Sequence, residues 1–144
     1  MPSKLTMFSR LPLGTFSLRY HSNTFRRPEL LVRVRGRLNA FDASALIDTG
    51  ADRCCFPASV AGYIGIDLGS IAPFNLGTVG QPVRAWEHRV VLEFPELQSY
   101  SIDAEVWFVD NPTLNPLIGR DPLFSQIQLG FRQSLHAFYI LTTA

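Results

Sequence analysis

The chain of 144 residues has the length of one ordinary domain, enough to bury a core without disulfide staples, and this excludes a multi-domain machine. Hydrophobic residues at 47%, with 11 Phe, exclude intrinsic disorder, and no run approaches 18 apolar residues, so a transmembrane helix is excluded too. The net charge of +1 hides an asymmetry: residues 1–37 carry eight cations against the single acid Glu29, and the remainder carries five cations against eleven acids.

Along the chain, apolar and polar residues alternate and helical periodicity is scarce, so most elements read as short strands. Residues 16–20 and 30–37 are expected strands, separated by a polar stretch ending in Arg26-Arg27-Pro28. Arg33, Arg35 and Arg37 alternate with Val32, Val34 and Gly36, the pattern of a strand with one solvent face. A nucleic-acid surface is the competing reading of this basic segment, but no stacking aromatics interleave the cations, and no nucleic acid is expected as a partner. All but one of the cations are Arg, which favours fixed ion pairs, so the positive segment can dock on the acidic remainder within or between chains.

Residues 41–47 form a strand leading into the turn Asp48-Thr49-Gly50, and residues 58–64 a short helical turn before Gly65. Residues 75–86 carry Gly77, Gly80 and Pro82 between apolar flanks and read as a glycine-rich hairpin. Strands follow at 88–94 and 101–109, then a loop at 111–116. A helix is expected over 121–126, with Asp121 as N-cap and Pro122 at its first position. Residues 127–131 and 136–141 make a closing hairpin. The fold class expected from these short, regularly spaced strands is all-β, barrel-like or a sandwich. Residues 1–27 form a basic N-terminal segment, an extra strand or an extension, and residues 28–144 form the domain. That segment has no apolar stretch suited to secretion, and a cytoplasmic location is expected; its acid-free, Arg- and Ser-rich composition also fits an organelle transit peptide.

The strongest chemical feature is Ala45-Leu46-Ile47-Asp48-Thr49-Gly50-Ala51-Asp52. An apolar run that ends on a carboxylate needs strong hydrogen bonds for that charge, or a task for it. An ordinary turn between strands is the alternative, since Asp-[Ser/Thr]-Gly arises by chance in about one chain of this length in twenty. The tripeptide gains weight from Pro116-Leu117-Ile118-Gly119-Arg120-Asp121, a second apolar pair followed by glycine, and from the glycine-rich hairpin between the two.

Together these motifs resemble the retropepsin-like aspartic proteases, the retroviral-type family that includes bacterial and cellular single-domain members; a bacterial or cellular member is expected here. The resemblance implies a small closed barrel with one short C-terminal helix and a flap hairpin. It implies that Asp48 is catalytic, that Thr49 makes hydrogen bonds interlocking two active-site loops, and that Gly50 lies beside the substrate or the catalytic water. Ala51 and Asp52 would line the substrate groove, Asp52 would pair with Arg120, and Leu117, Ile118 and Gly119 would back the loop, Leu117 and Ile118 also serving as groove walls. The flap tip would fall at Gly77-Thr78-Val79-Gly80, where the sequence departs from the viral pattern through fewer glycines and through Gln81-Pro82 near the tip.

The chemistry of this class asks for two carboxylates about 3 Å apart that share a proton, because like charges so close cannot both ionise. Asp42, Asp67, Asp103 and Asp110 lack the following Ser/Thr-Gly, so one chain offers half a site and a homodimer must supply the other half. The expected activity is hydrolysis of a protein or peptide substrate with a mildly acidic optimum that belongs to the pair of carboxylates. Another reading is a non-catalytic dimerisation or peptide-binding module of the same fold. No cofactor or metal is expected, because His21, His88 and His136 are scattered and no Cys/His ligand spacing occurs. Cys54 and Cys55 are adjacent and do not suit a mutual disulfide, and one of them is expected in the core. Trp86, just after the hairpin, is a candidate substrate contact.

Overall fold

The computed structural model describes residues 15–20, 27–77 and 80–142. Among these residues ten strands and one α-helix follow in chain order: β1 (Thr15–Arg19), β2 (Glu29–Arg35), β3 (Ala40–Ile47), β4 (Cys55–Pro57), α1 (Ala58–Ile64), β5 (Phe74–Leu76), β6 (Val83–Phe94), β7 (Tyr100–Val109), β8 (Leu117–Ile118), β9 (Ile127–Arg132) and β10 (Ala137–Thr142). None of the helical segments among them is long and apolar enough to cross a membrane.

The larger sheet runs β2-β3-β8-β4-β7-β6-β5, and β2 also pairs with β6, so six strands close into a ring with β5 outside it. Closure rests on Arg33 opposite Glu93, Val34 opposite Leu92 and Arg35 opposite Val91. Alternation in β2 explains why this strand faces inward as it does. Leu30, Val32 and Val34 are fully buried, whereas Arg33 and Arg35 lie outside. There Arg33 Nε donates to Asp42 Oδ1 at 2.7 Å and Arg35 pairs with Glu93, so the basic segment docks on acids of its own chain. Phe56, Phe94, Phe108 and Phe138 are fully buried, and Phe56 and Phe108 contact each other at 6.5 Å between ring centres.

The second sheet, β1-β10-β9, brings residues 15–19 of the basic N-terminal segment into the body as an edge strand, with Thr15 opposite Leu141 and Arg19 opposite Ala137. Helix α1 buries Val60, Ala61 and Ile64 and stops at Gly65, whose φ of 93° is the left-handed conformation that ends helices without steric penalty.

Two expectations need correction. Residues 121–126 do not form a C-terminal helix: only Leu123–Ser125 make a 3-10 turn, and the α-helix of the described residues is α1, earlier in the chain. The Asp121 carboxylate is drawn to Arg53 Nη1 at 3.1 Å instead of capping a helix, its backbone bridges Arg53, and β9 begins at Ile127 before a second helical turn fits. The second correction concerns residues 83–94, which run as one strand of 12 residues paired with β7 from Ala85 to Phe94, without a break at Trp86.

Candidate active site

The apolar run of β3 ends at Ile47 because the chain there is gripped on both sides. Leu46 N donates to Pro116 O at 2.9 Å and Asp48 N to Ile118 O at 3.0 Å, while Ile47 N donates to Pro28 O at 2.9 Å. Strand β8, only two residues long, thus lies parallel to β3 and antiparallel to β4, and holds the backbone up to the residue that carries the carboxylate. Beyond it the chain turns: Ala51 N donates to Asp48 O at 3.2 Å and Gly50 N to Asp48 Oδ1 at 2.9 Å. The Asp48 side chain is therefore oriented by its own loop. It is half-buried, while Thr49 and Gly50 are exposed, and the Thr49 hydroxyl makes no hydrogen bond among the described residues.

The second motif closes on the first. Arg120 N donates to Ala51 O at 2.9 Å, Asp121 N donates to Asp52 O at 3.0 Å, and the Arg120 guanidinium bonds the Asp52 carboxylate. Gly119 is required by this closeness: a Cβ there would lie 2.2 Å from Arg53 O and 2.4 Å from Arg53 C. Asp48–Asp52 and Leu117–Asp121 are thus brought into one unit. Leu117 is half-buried beside Cys55, Ala85 and Val109. Ile118 is fully buried in the main core, so it supports the loop from beneath and is not presented as a groove wall.

A broad open hollow of about 750 Å³ adjoins the loop, lined by Thr49, Asp52, Arg53, Arg120, Asp121, Phe124 and Ser125. Arg53 is the residue that the sequence reading missed. Besides Asp121 it reaches Glu87 at 3.9 Å and Glu105 at 4.0 Å, and Trp107 Nε1 donates to Glu87 Oε2 at 2.8 Å. The available signal was an arginine placed directly after Asp52 and before two buried cysteines, a charge that must find acids nearby. Cys54 and Cys55 are both buried, and burial pushes their thiols up to about 11 and about 12, so neither is a ready nucleophile.

Hairpin β5–β6 pairs Leu76 with Val83, and Gly77 and Gly80 stand exposed in its connection, Gly80 at a φ of 116°. Thr78 and Val79 lie outside the described residues. Among the described residues, no hydrogen bond joins Gly77 or Gly80 to the Asp48 loop. Trp86 is half-buried, with the Arg84 guanidinium 5.3 Å above its ring.

No protein-family model and no curated protein matches the chain. Solved structures do. A retropepsin-like aspartic protease from Rickettsia conorii matches with a TM-score of 0.66 over 89% of this chain and 99% of that one, at 11% identity. The EIAV protease, solved in complex with the inhibitor HBY-793, matches with a TM-score of 0.52 over 73% of this chain and 92% of that one, at 21% identity. Identities this low speak for the fold alone. On that ground, and on the ring of strands with β8 set between β3 and β4, the chain has the retropepsin-like fold.

Proposed function

We propose that this chain is an aspartic endopeptidase whose site forms between two copies, each contributing Asp48. One observation carries the reading. A carboxylate at the end of a buried strand is oriented by Gly50 N, and the adjacent Thr49 hydroxyl has no bonding partner among the described residues of its own chain. A second copy presenting the same loop across a two-fold axis would give Thr49 its partner and set two carboxylates face to face. One carboxylate then takes a proton from the attacking water while the other gives a proton to the scissile carbonyl oxygen. Ala51, Asp52 and Leu117 would border the substrate, and residues 77–80, with Thr78 and Val79 at their centre, would fold over it as a flap. Arg33 and Arg35 are already paired with Asp42 and Glu93, which favours a peptide over a nucleic acid as partner.

The test is cleavage of an unfolded protein between about pH 4 and 7, with and without a transition-state-mimicking aspartic protease inhibitor. Inhibitor-sensitive cleavage is expected, proportional to the dimer fraction measured by sedimentation. Asp48→Asn is expected to lower it by about 10³-fold or more while leaving the dimer intact. A dimer without inhibitor-sensitive cleavage would identify a binding module instead, and cleavage by a monomer would refute the shared site.

A further inference from the structure

At the end of β2 away from the Asp48 loop, a second hollow of about 520 Å³ opens between the β2–β3 turn, the segment after α1 and the middle of β6. Glu29 pairs with Leu46 beside the candidate site, and Arg35 pairs with Ala40 at the far end, so the two regions are separated by about 20 Å of strand. Its volume lies within the range of about 300–1,000 Å³ typical of small-molecule sites.

We propose that this hollow binds a small amphiphilic anion, a carboxylate or phosphate head on a hydrocarbon body. The hydrocarbon part has apolar walls available: Ile66 and Val90 are buried, and Ile71 and Val91 are half-buried. The head has cations at the rim that the fold leaves under-used. Arg37 is exposed and makes no hydrogen bond or ion pair among the described residues. The Arg89 side chain is 70% exposed and, among the described residues, reaches only Glu105, at 3.9 Å. Both present the planar fork that matches a carboxylate or phosphate.

The turn that carries Arg37 is held in place. A Cβ on Gly36 would lie 2.3 Å from Ile64 O, so this turn packs directly on the end of α1. Leu38 N donates to Ile64 O at 3.1 Å and Asn39 Nδ2 to Tyr63 O at 3.1 Å, which fixes it further. Of the two acids in the lining, Asp67 accepts from Gly69 N at 2.9 Å and shapes the wall. Asp103 is exposed and opposite Val91 in register, so it opposes an anion and sets the sign of a test.

The probes are octanoate, octyl phosphate, inorganic phosphate and octylammonium, titrated calorimetrically into the full chain. Saturable binding of octanoate or octyl phosphate is expected, and the tighter of the two identifies the head. Inorganic phosphate is expected to bind at least about tenfold more weakly, because the apolar walls then contribute nothing. Arg37→Ala and Arg89→Gln are each expected to weaken octanoate about tenfold, and Asp103→Asn to tighten it. Asp48→Asn is expected to leave it unchanged, so the result is independent of the proposed peptidase activity. Octylammonium binding as well as octanoate, phosphate binding as well as octanoate, no saturation by either amphiphile, or full affinity in both arginine variants would each overturn the proposal. Both arginines are exposed, so folded variants are expected, and circular dichroism checks this.

Discussion

Replacing Gly119 by alanine would put a methyl carbon 2.2, 2.4 and 2.8 Å from the O, C and N atoms of Arg53. These are backbone atoms, so no side-chain rotation relieves the contact, and the two segments must part by more than about 1 Å to reach ordinary van der Waals separation. The hydrogen bonds from Arg120 N to Ala51 O and from Asp121 N to Asp52 O resist that parting. Overpacking costs about 1–3 kcal/mol, and here the upper end, about 3 kcal/mol, is expected. Measured by urea unfolding with a slope of about 2 kcal/mol/M, the midpoint should fall by about 1.5 M. Gly130→Ala is the control: a Cβ there meets nothing within 4 Å among the described residues, and its midpoint should move by less than about 0.3 M. A Gly119→Ala midpoint within that same narrow range, with β8 amides still protected from exchange, would refute the close approach of Gly119 to Arg53.

Two further expectations concern ionisable groups. With thiols pushed up to about 11 and about 12, only about one Cys54 in a thousand and fewer Cys55 are thiolate at pH 8, so both should resist an aromatic disulfide reagent in the native protein and react promptly in denaturant. Prompt labelling of the native chain would contradict their burial. The Arg33 guanidinium holds the Asp42 carboxyl below its ordinary value of 3.8. Asp42 is thus depressed in the folded state, and its contribution is present above about pH 4 and lost as pH falls through the folded value. The pair is exposed, 37% and 58%, so Asp42→Asn should cost only about 0.5 kcal/mol at pH 7. That difference, read from urea midpoints, should shrink as pH falls through the folded value; one that grows on acidification would be inconsistent with the pair.

The strands of the ring were legible where alternation is long enough to count. Leu30, Val32 and Val34 announced β2, and Ala45 with Ile47 announced the inward face of β3. Strands β4 and β8, three and two residues long, carry no period, and their pairing is imposed by neighbours far away in sequence. Asp121-Pro122 carried a sound local helix signal, which lost to the attraction between Asp121 and Arg53. The turns at Gln98, Ser99 and His136 take positive φ without glycine, so residue type did not reveal them. In the candidate site, the Asp48 turn stood out because a carboxylate ends an apolar run, whereas the Asp52–Arg120 pair and the place of Gly119 behind the loop came only from the family resemblance. Arg53, Phe124 and Ser125 were legible in neither way, since their place in the hollow depends on how the two motifs fold together.

Strand β8 pairs with β3 across 71 residues of sequence, Leu46 with Leu117, and completes a ring whose other closure, β2 to β6, is also long-range. Topologies dominated by such distant pairings fold slowly, because the loop must close before its contacts stabilise anything. The order of synthesis sharpens this. A nascent chain that has emerged only as far as β7 contains Asp48 but neither the Ile118 carbonyl that fixes its backbone nor the Arg120 that pairs with Asp52. Whatever chemistry the loop performs stays latent on the ribosome until at least 120 residues of the chain have been released.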